Sequence, residues 1–304
     1  MNVLAVIAAL LIAFVYLNFL RQMDVFEKEK SRYTILVFAF GIIATFLIIP
    51  FQYYIPVSKW LPSEGGFFTR LKFHFFAVAI FEEFIKIIPF LLLLRFPKIM
   101  DESYDYIKYA SVGAMGFATL ENILYFNQSF YIIEGRAFYT AILHMFTSSI
   151  IAYGMYIVRL RKKSFLFICF LILFLLASFL HALYNALIGV SGTYYIGILL
   201  IAFMLIMWGR MQNNLLNNSE FFNHDTIQNK VVLAGFKLMI GWALVFIYAA
   251  AAVAYTSSIS IGFAFFKEGA LFGIASGIGL YFALARPRLK KGKWTPLISR
   301  KRVY

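Results

Sequence analysis

Several stretches of about 20 residues in this chain contain no Asp, Glu, Lys or Arg, among them residues 2–20, 34–55, 165–188 and 193–209. A helix of that length rises about 30 Å, the thickness of a bilayer's hydrocarbon core. A run that long without charge therefore reads as a membrane-spanning helix. Composition agrees: 62% of the residues are hydrophobic and 14% charged, against about 45–50% and about 25% in soluble domains. A soluble α/β enzyme and a disordered chain are excluded on those grounds, and a disulfide scaffold because Cys169 is alone. The expected fold is an all-α, polytopic transmembrane helix bundle.

Nine spans can be read, at about 2–20, 34–55, 71–94, 107–127, 137–158, 165–188, 193–209, 234–255 and 262–284. The first has no cationic leading segment and no A-x-A site, so it reads as a retained helix, not a signal peptide. The net charge of +14 is explained by its distribution. Loops 21–33, 95–108, 159–164 and 210–233 and the tail beyond residue 284 hold 21 of the Lys and Arg residues, and the alternate loops hold 4. The positive-inside rule then places the N-terminus outside and the C-terminus in the cytoplasm, its cations against anionic lipid. No nucleic-acid motif accompanies the charge. The division expected along the chain is 1–65 (two helices), 66–210 (a core of five spans), 211–233 (a polar cytoplasmic loop) and 234–304 (a helix pair with a basic tail). Gly269, Gly273 and Gly277 form a small-residue stripe on the last helix, which reads as helix packing.

Ionisable residues inside spans are expensive and face a protein interior or a wet cavity. Here they fall in four consecutive spans: Glu82, Glu83 and Lys86, then Glu121 and Asn122, then His144, then His181 and Asn185. Converted to depth at about 1.5 Å per residue, Glu82, His144, Glu121 and His181 lie roughly 16, 10, 9 and 12 Å from the outer ends of their helices. They share one layer in the outer half of the bilayer. Lys86 is within helical reach of either glutamate, and His181 and Asn185 project from one stripe. Pro89, one turn past Lys86, removes a backbone hydrogen bond there and is expected to kink the helix. His74 and His224 read as solvated, and Lys237 and Lys267 as snorkelling from span ends. Taken singly, a buried Glu–Lys pair or a lone His reads as packing; the agreement of four helices reads as function.

A carboxylate that activates water, beside His and Asn groups that polarise a carbonyl and hold its oxyanion, is a set suited to amide hydrolysis. Alternatively Glu121, His144 and His181 hold a divalent metal such as zinc, with another Glu as base. Serine chemistry is disfavoured, since Ser148 and Ser149 share the helix of His144 and no GxSxG occurs. At these residues the chain resembles the PrsW family of intramembrane proteases, named for a bacterial enzyme that degrades an anti-sigma factor. The matching pieces are EExxK (Glu82, Glu83, Lys86), GxxxF with ATLEN (Gly113, Phe117, Glu121, Asn122), the span bearing His144, and HALYN (His181, Asn185). They cover residues 70–190 or so. The related type II CAAX prenyl endopeptidases carry FxxxH where this chain has Phe117 and Glu121.

The resemblance implies a peptidase in a bacterial cytoplasmic membrane. It would cut a membrane-protein substrate, such as a single-span anti-sigma factor, with metal- or glutamate-activated water. Glu82, Glu83, Lys86, Glu121, Asn122, His144, His181 and Asn185 are its expected site residues, Glu82 and Glu83 activating water and Asn185 steadying the oxyanion. A proton-coupled transporter using the same Glu/His cluster is the rival reading. A non-catalytic scaffold is a third, and the intact acids and imidazoles argue against it.

Overall fold

The computed structural model describes residues 2–48, 50, 54, 57–161, 165–190, 192–223, 228–284 and 289–297, which form helices and connecting turns without strands. Lys162, Lys163, Ser191, His224 and the tail cations Arg286, Arg288, Arg300, Lys301 and Arg302 lie outside the described residues. Helix α1 (Val3–Met23) starts at Asn2, whose side chain accepts a hydrogen bond from the Leu4 amide. There follow α2 (Ser31–Thr45), α3 (67–93), α4 (Ser103–Phe126), α5 (130–161), α6 (Leu166–Ile188), α7 (Tyr194–Asn217), α8 (Gln228–Thr256) and α9 (Ile259–Leu284). Among the described residues, six helices are long and apolar enough to cross a membrane: α1 and α5 to α9.

The most polar long helix sits at the centre. Almost all of α4 is buried, with α1, α2, the second half of α3, and α5 packed around it. A helix enclosed by protein can carry Ser, Tyr, Asp, Lys, Glu and Asn at membrane depth because other helices supply their partners. The outer helices reverse this logic: Phe167, Leu199, Ile259 and Leu271 are exposed. Helices α8 and α9 pair with each other, and α8 also packs along α1.

Two helices are interrupted by π-helical turns. In α3 the stretch His74–Ala79 is π-helical between α-helical Phe67–Phe73 and Ile80–Leu93. In α5 the stretch Arg136–Thr140 is π-helical just before Ala141–Arg161. Such turns recur at functional sites because the added residue re-aims the side chains that follow. The expected irregularity at Pro89 lies elsewhere than anticipated: the helix continues through Pro89, which packs against Gly113, and the irregular turn comes earlier, ahead of Glu82.

Three further expectations need correction. Lys108, counted among loop cations, is 1% exposed inside α4 and pairs with Asp24 at 2.6 Å. The polar loop expected at 211–233 begins only after Asn217, because α7 runs on through the asparagines. Two of those asparagines bond to the tail. Asn214 accepts from the Thr295 amide at 2.7 Å, and Asn217 accepts from the Lys290 amide at 2.6 Å. His74, expected to be solvated, is half-buried with its Nδ1 enclosed. Lys237 and Lys267 are exposed, as snorkelling requires.

The glycine stripe of α9 packs as expected, but against rings: Gly273 faces Phe246, and Gly277 faces Trp242, whose indole N–H donates to the Gly273 carbonyl. Helices α2 and α4 approach backbone to backbone at two glycines. A Cβ on Gly116 would lie 2.2 Å from the Phe38 carbonyl oxygen, and one on Gly41 would lie 2.2 Å from that of Gly113. Gly116→Ala is therefore expected to cost about 1–3 kcal/mol of stability, the price of overpacking, whereas a Cβ at Gly279 meets nothing within 4 Å. Thermal unfolding in detergent checks this. Equal melting temperatures for Gly116→Ala and Gly279→Ala would contradict the crossing.

Candidate active site

The four helices that carry the intramembrane acids and imidazoles bring them into contact. Helix α3 contributes Glu82, Glu83 and Lys86, immediately after its π turn. Helix α4 contributes Glu121 and Asn122, α5 contributes His144 after its own π turn, and α6 contributes His181.

Lys86 occupies the inner end of the cluster, fully buried like Glu83. Its ammonium donates to Glu83 Oε1 at 2.5 Å and to His144 Nδ1 at 2.7 Å. An ammonium group has donors and no acceptor, so His144 Nδ1 must accept, and the neutral ring carries its proton on Nε2. That Nε2–H donates to Glu121 Oε2 at 2.9 Å. Glu83 Oε1 also accepts from His181 Nδ1 at 2.7 Å. This leaves the His181 Nε2 lone pair bare, 3.7 Å from Glu82 Oε2. The two imidazoles stand edge to face with centroids 5.4 Å apart, and Phe117 packs edgewise on His144 at 5.6 Å. Each ring is thus oriented on one nitrogen by a charged group, while its other nitrogen turns toward Glu82 or Glu121.

The two adjacent glutamates are not equivalent. Glu83 is sealed in and its Oε1 is committed to Lys86 and His181. Glu82 retains 14% side-chain exposure, and its Oε2 has no hydrogen-bond partner among the described residues. One ligand atom each from Glu82, His144 and His181 lies within 4.8 Å of the others. That set differs from the expected Glu121, His144 and His181 by exchanging one glutamate for another. Two imidazole nitrogens and a carboxylate oxygen suit zinc or a similar divalent ion; the partnerless Glu82 oxygen and the bare His181 Nε2 fit such an occupant, while His144 would join them by giving up the proton on its Nε2. Glu121 sits on the far side of His144 and is held by Arg136, Nη2 to Oε2 at 2.9 Å.

Arg136 immediately precedes the span expected at 137–158 and so counts among the four cations of the alternate loops. In the fold it opens the π turn of α5 and reaches inward, donating from Nε to Asn122 Oδ1 at 2.7 Å and lying 3.8 Å above the Tyr125 ring. Asn122 therefore positions Arg136. A hint in the sequence was that Arg136 lies eight residues before His144, two helical turns away. Asn185 is half-buried one turn beyond His181 and makes no side-chain hydrogen bond to the cluster among the described residues. Ser149 is absorbed elsewhere, bonded to Ser111 at 2.9 Å and to the Trp208 indole at 3.0 Å, which removes it as a nucleophile. A cleft of about 540 Å³ adjoins the cluster through Arg136, lined by Tyr125, Tyr131, Tyr139, Tyr184 and Tyr194.

Residues 29–209 match the model of the PrsW family of intramembrane metalloproteases. Among individual relatives, a protein called Protease PrsW from Geobacillus kaustophilus is 29% identical over 199 residues, covering 63% of this chain and 82% of the relative. Another Protease PrsW, from Oceanobacillus iheyensis, is 27% identical over 194 residues, covering 60% of this chain and 84% of the relative. No solved structure matches the chain significantly.

The sealed Glu83–Lys86 pair sets a stability expectation. Lys86→Met strands a buried carboxylate and is expected to cost about 3–5 kcal/mol, whereas replacing both partners by apolar residues is close to neutral. The double variant Glu83→Leu/Lys86→Met should therefore recover most of the melting temperature lost in Lys86→Met. A double variant no more stable than the single one would contradict the pairing.

Proposed function

Because the chain belongs to the PrsW family of intramembrane metalloproteases, we propose that it cleaves a peptide bond in a membrane-protein substrate at the Glu82–Glu121–His144–His181 cluster. The observation that carries this reading is the convergence of two oriented imidazoles and an unpartnered carboxylate from three helices. The family is one of proteases, which disfavours a proton-coupled transporter. In this reading the nine helical segments are nine crossings, with the N-terminus outside and the C-terminus in the cytoplasm of a bacterium. A single-span regulator such as an anti-sigma factor is the kind of substrate that fits.

Glu82, His144 and His181 would hold a divalent metal, zinc being the ion best suited to that donor set. When bound, the metal supplies an activated water and polarises the scissile carbonyl. The remaining groups act around it. Glu83 holds the His181 Nδ1 proton, which fixes the tautomer and aims Nε2. Lys86 orients His144 from its other side by donating to Nδ1, and ligation through Nε2 would require that nitrogen to release the proton it now donates to Glu121. Glu121 takes the proton from the attacking water and returns it to the leaving amine, its second oxygen being free of Arg136 and His144. Arg136, steadied by Asn122, holds Glu121 in place beside His144. In this reading Asn185, one turn beyond His181, donates to the developing oxyanion. The tyrosine-lined cleft receives an unwound stretch of substrate, whose freed peptide groups need hydrogen-bond partners inside a membrane.

This assignment separates the two exposed-side glutamates. Purified protein in nanodiscs, incubated with a single-span substrate, should lose about 100-fold or more in cleavage rate with Glu121→Gln while retaining its bound metal. Glu82→Gln should lose both metal and activity. Wild-type cleavage by Glu121→Gln, or full metal retention in Glu82→Gln, would overturn the division of roles.

A further inference from the structure

Glu134 lies in the first turns of α5, ten residues before His144 and about 15 Å along the helix from it. It is 8% exposed, and its Oε1 has no hydrogen-bond partner among the described residues. Arg136, two residues on, is engaged by Glu121 and Asn122 instead. The catalytic cluster makes no use of Glu134.

This carboxylate is held where a ligand can reach it. Glu134 lines the cleft of about 540 Å³ that adjoins the cluster through Arg136. Helix α9 leaves room for its head group: a Cβ on Gly269 would stand 3.0 and 3.1 Å from its two oxygens. One turn further along α9, Phe272 walls the same cleft and packs on Tyr139 with ring centroids 5.5 Å apart. Tyr131 and Tyr184 add to an aromatic lining around an acid. A buried carboxylate without a partner is costly, and a cation brought to it removes that cost. Aromatic faces attract the charged head of a lysine or arginine and cover its alkyl stem. Arg136 already lies over Tyr125 in this way, within the cleft. Its charge is met by Glu121, which leaves that of Glu134 for an incoming group.

We propose that Glu134 is a specificity-determining residue that accepts the ammonium or guanidinium group of a basic substrate residue on the outer side of the scissile bond. The assignment rests on the proteolytic reading and adds to it the feature by which a substrate is chosen. An extended chain covers about 15 Å in about four or five residues, which sets the distance from the basic residue to the cleaved bond. Outer flanks of spans are poor in Lys and Arg, so an acid placed there separates a few single-span proteins from the rest. Gly269 and Phe272 lie beyond the family-matched residues 29–209, so the subsite is shaped by a helix outside that region.

Binding tests the subsite apart from catalysis. Full-length protein in nanodiscs of zwitterionic lipid is titrated with synthetic single-span peptides, each a Leu/Ala helix of about 20 residues. Each carries one Lys at a different position of its outer flank, and a counterpart carries Gln throughout. The best Lys peptide should bind about tenfold or more tighter than the Gln peptide. Glu134→Gln should remove that preference, and Glu134→Lys should transfer it to a peptide with Glu in place of Lys. Equal affinities for all the peptides, no binding of any, or a preference that survives Glu134→Gln would overturn the subsite. A preference shown in binding stands even where no peptide is cut. Cleavage at equal rates with and without the Lys, unaltered by Glu134→Gln, would sink the subsite and leave the proteolytic reading intact.

Discussion

A carboxylate and an ammonium group held at 2.5 Å in the interior of a helix bundle organise much of this protein's chemistry. The Glu83–Lys86 pair is costly to bury, and a single ion pair of this kind gives little net stability. What it provides is direction. Each of its members reaches a different imidazole, so α3 fixes the orientation of rings that belong to α5 and α6. The pair stays buried because α4 closes over it with Phe117 while α2 backs α4 at a glycine contact too tight for any side chain. Packing of apolar helices thereby becomes alignment of polar groups.

The polar elements segregate along α4. Near one end lie the imidazoles, Glu121 and Arg136; at the other Lys108 pairs with Asp24 and Asp105. The helix between them is wholly enclosed and less apolar than its neighbours, a composition lipid exposure would not permit. Reactive groups are carried just past π turns, in α3 before Glu82 and in α5 before His144. A π turn rotates the following residues relative to the preceding helix, so each of the two re-aims one set of the cluster's side chains.

Much of this was legible from the sequence. Uncharged runs located the helices, and depth arithmetic placed Glu82, Glu121, His144 and His181 in one layer; contacts link the four in a chain, Glu82 to His181, His181 to His144 and His144 to Glu121. Motifs at the same positions carried the family resemblance. What spacing could not convey was partnership. Helical reach left Lys86 open to either glutamate, and the tertiary choice of Glu83 depends on where His181 arrives from another helix. Arg136 and Lys108 looked like headgroup-facing cations because charge in a short connection is usually solvated; both turn inward to acids sequence-distant from them. The asparagines after residue 211 looked like loop for the same reason, yet Asn214 and Asn217 bond to backbone groups of the tail. Periodicity also gave no sign of the π turns, whose extra residue shifts a helical pattern without breaking it.

The central claim is that the two oriented imidazoles and Glu82 form a metal-dependent hydrolytic centre. The most direct test is to remove metal from the purified protein, confirm its helical fold by circular dichroism, and add zinc back while following cleavage of a single-span substrate. Cleavage should be absent without metal, return in proportion to zinc up to one equivalent, and remain absent in His181→Ala. Undiminished cleavage by metal-free protein would contradict the account.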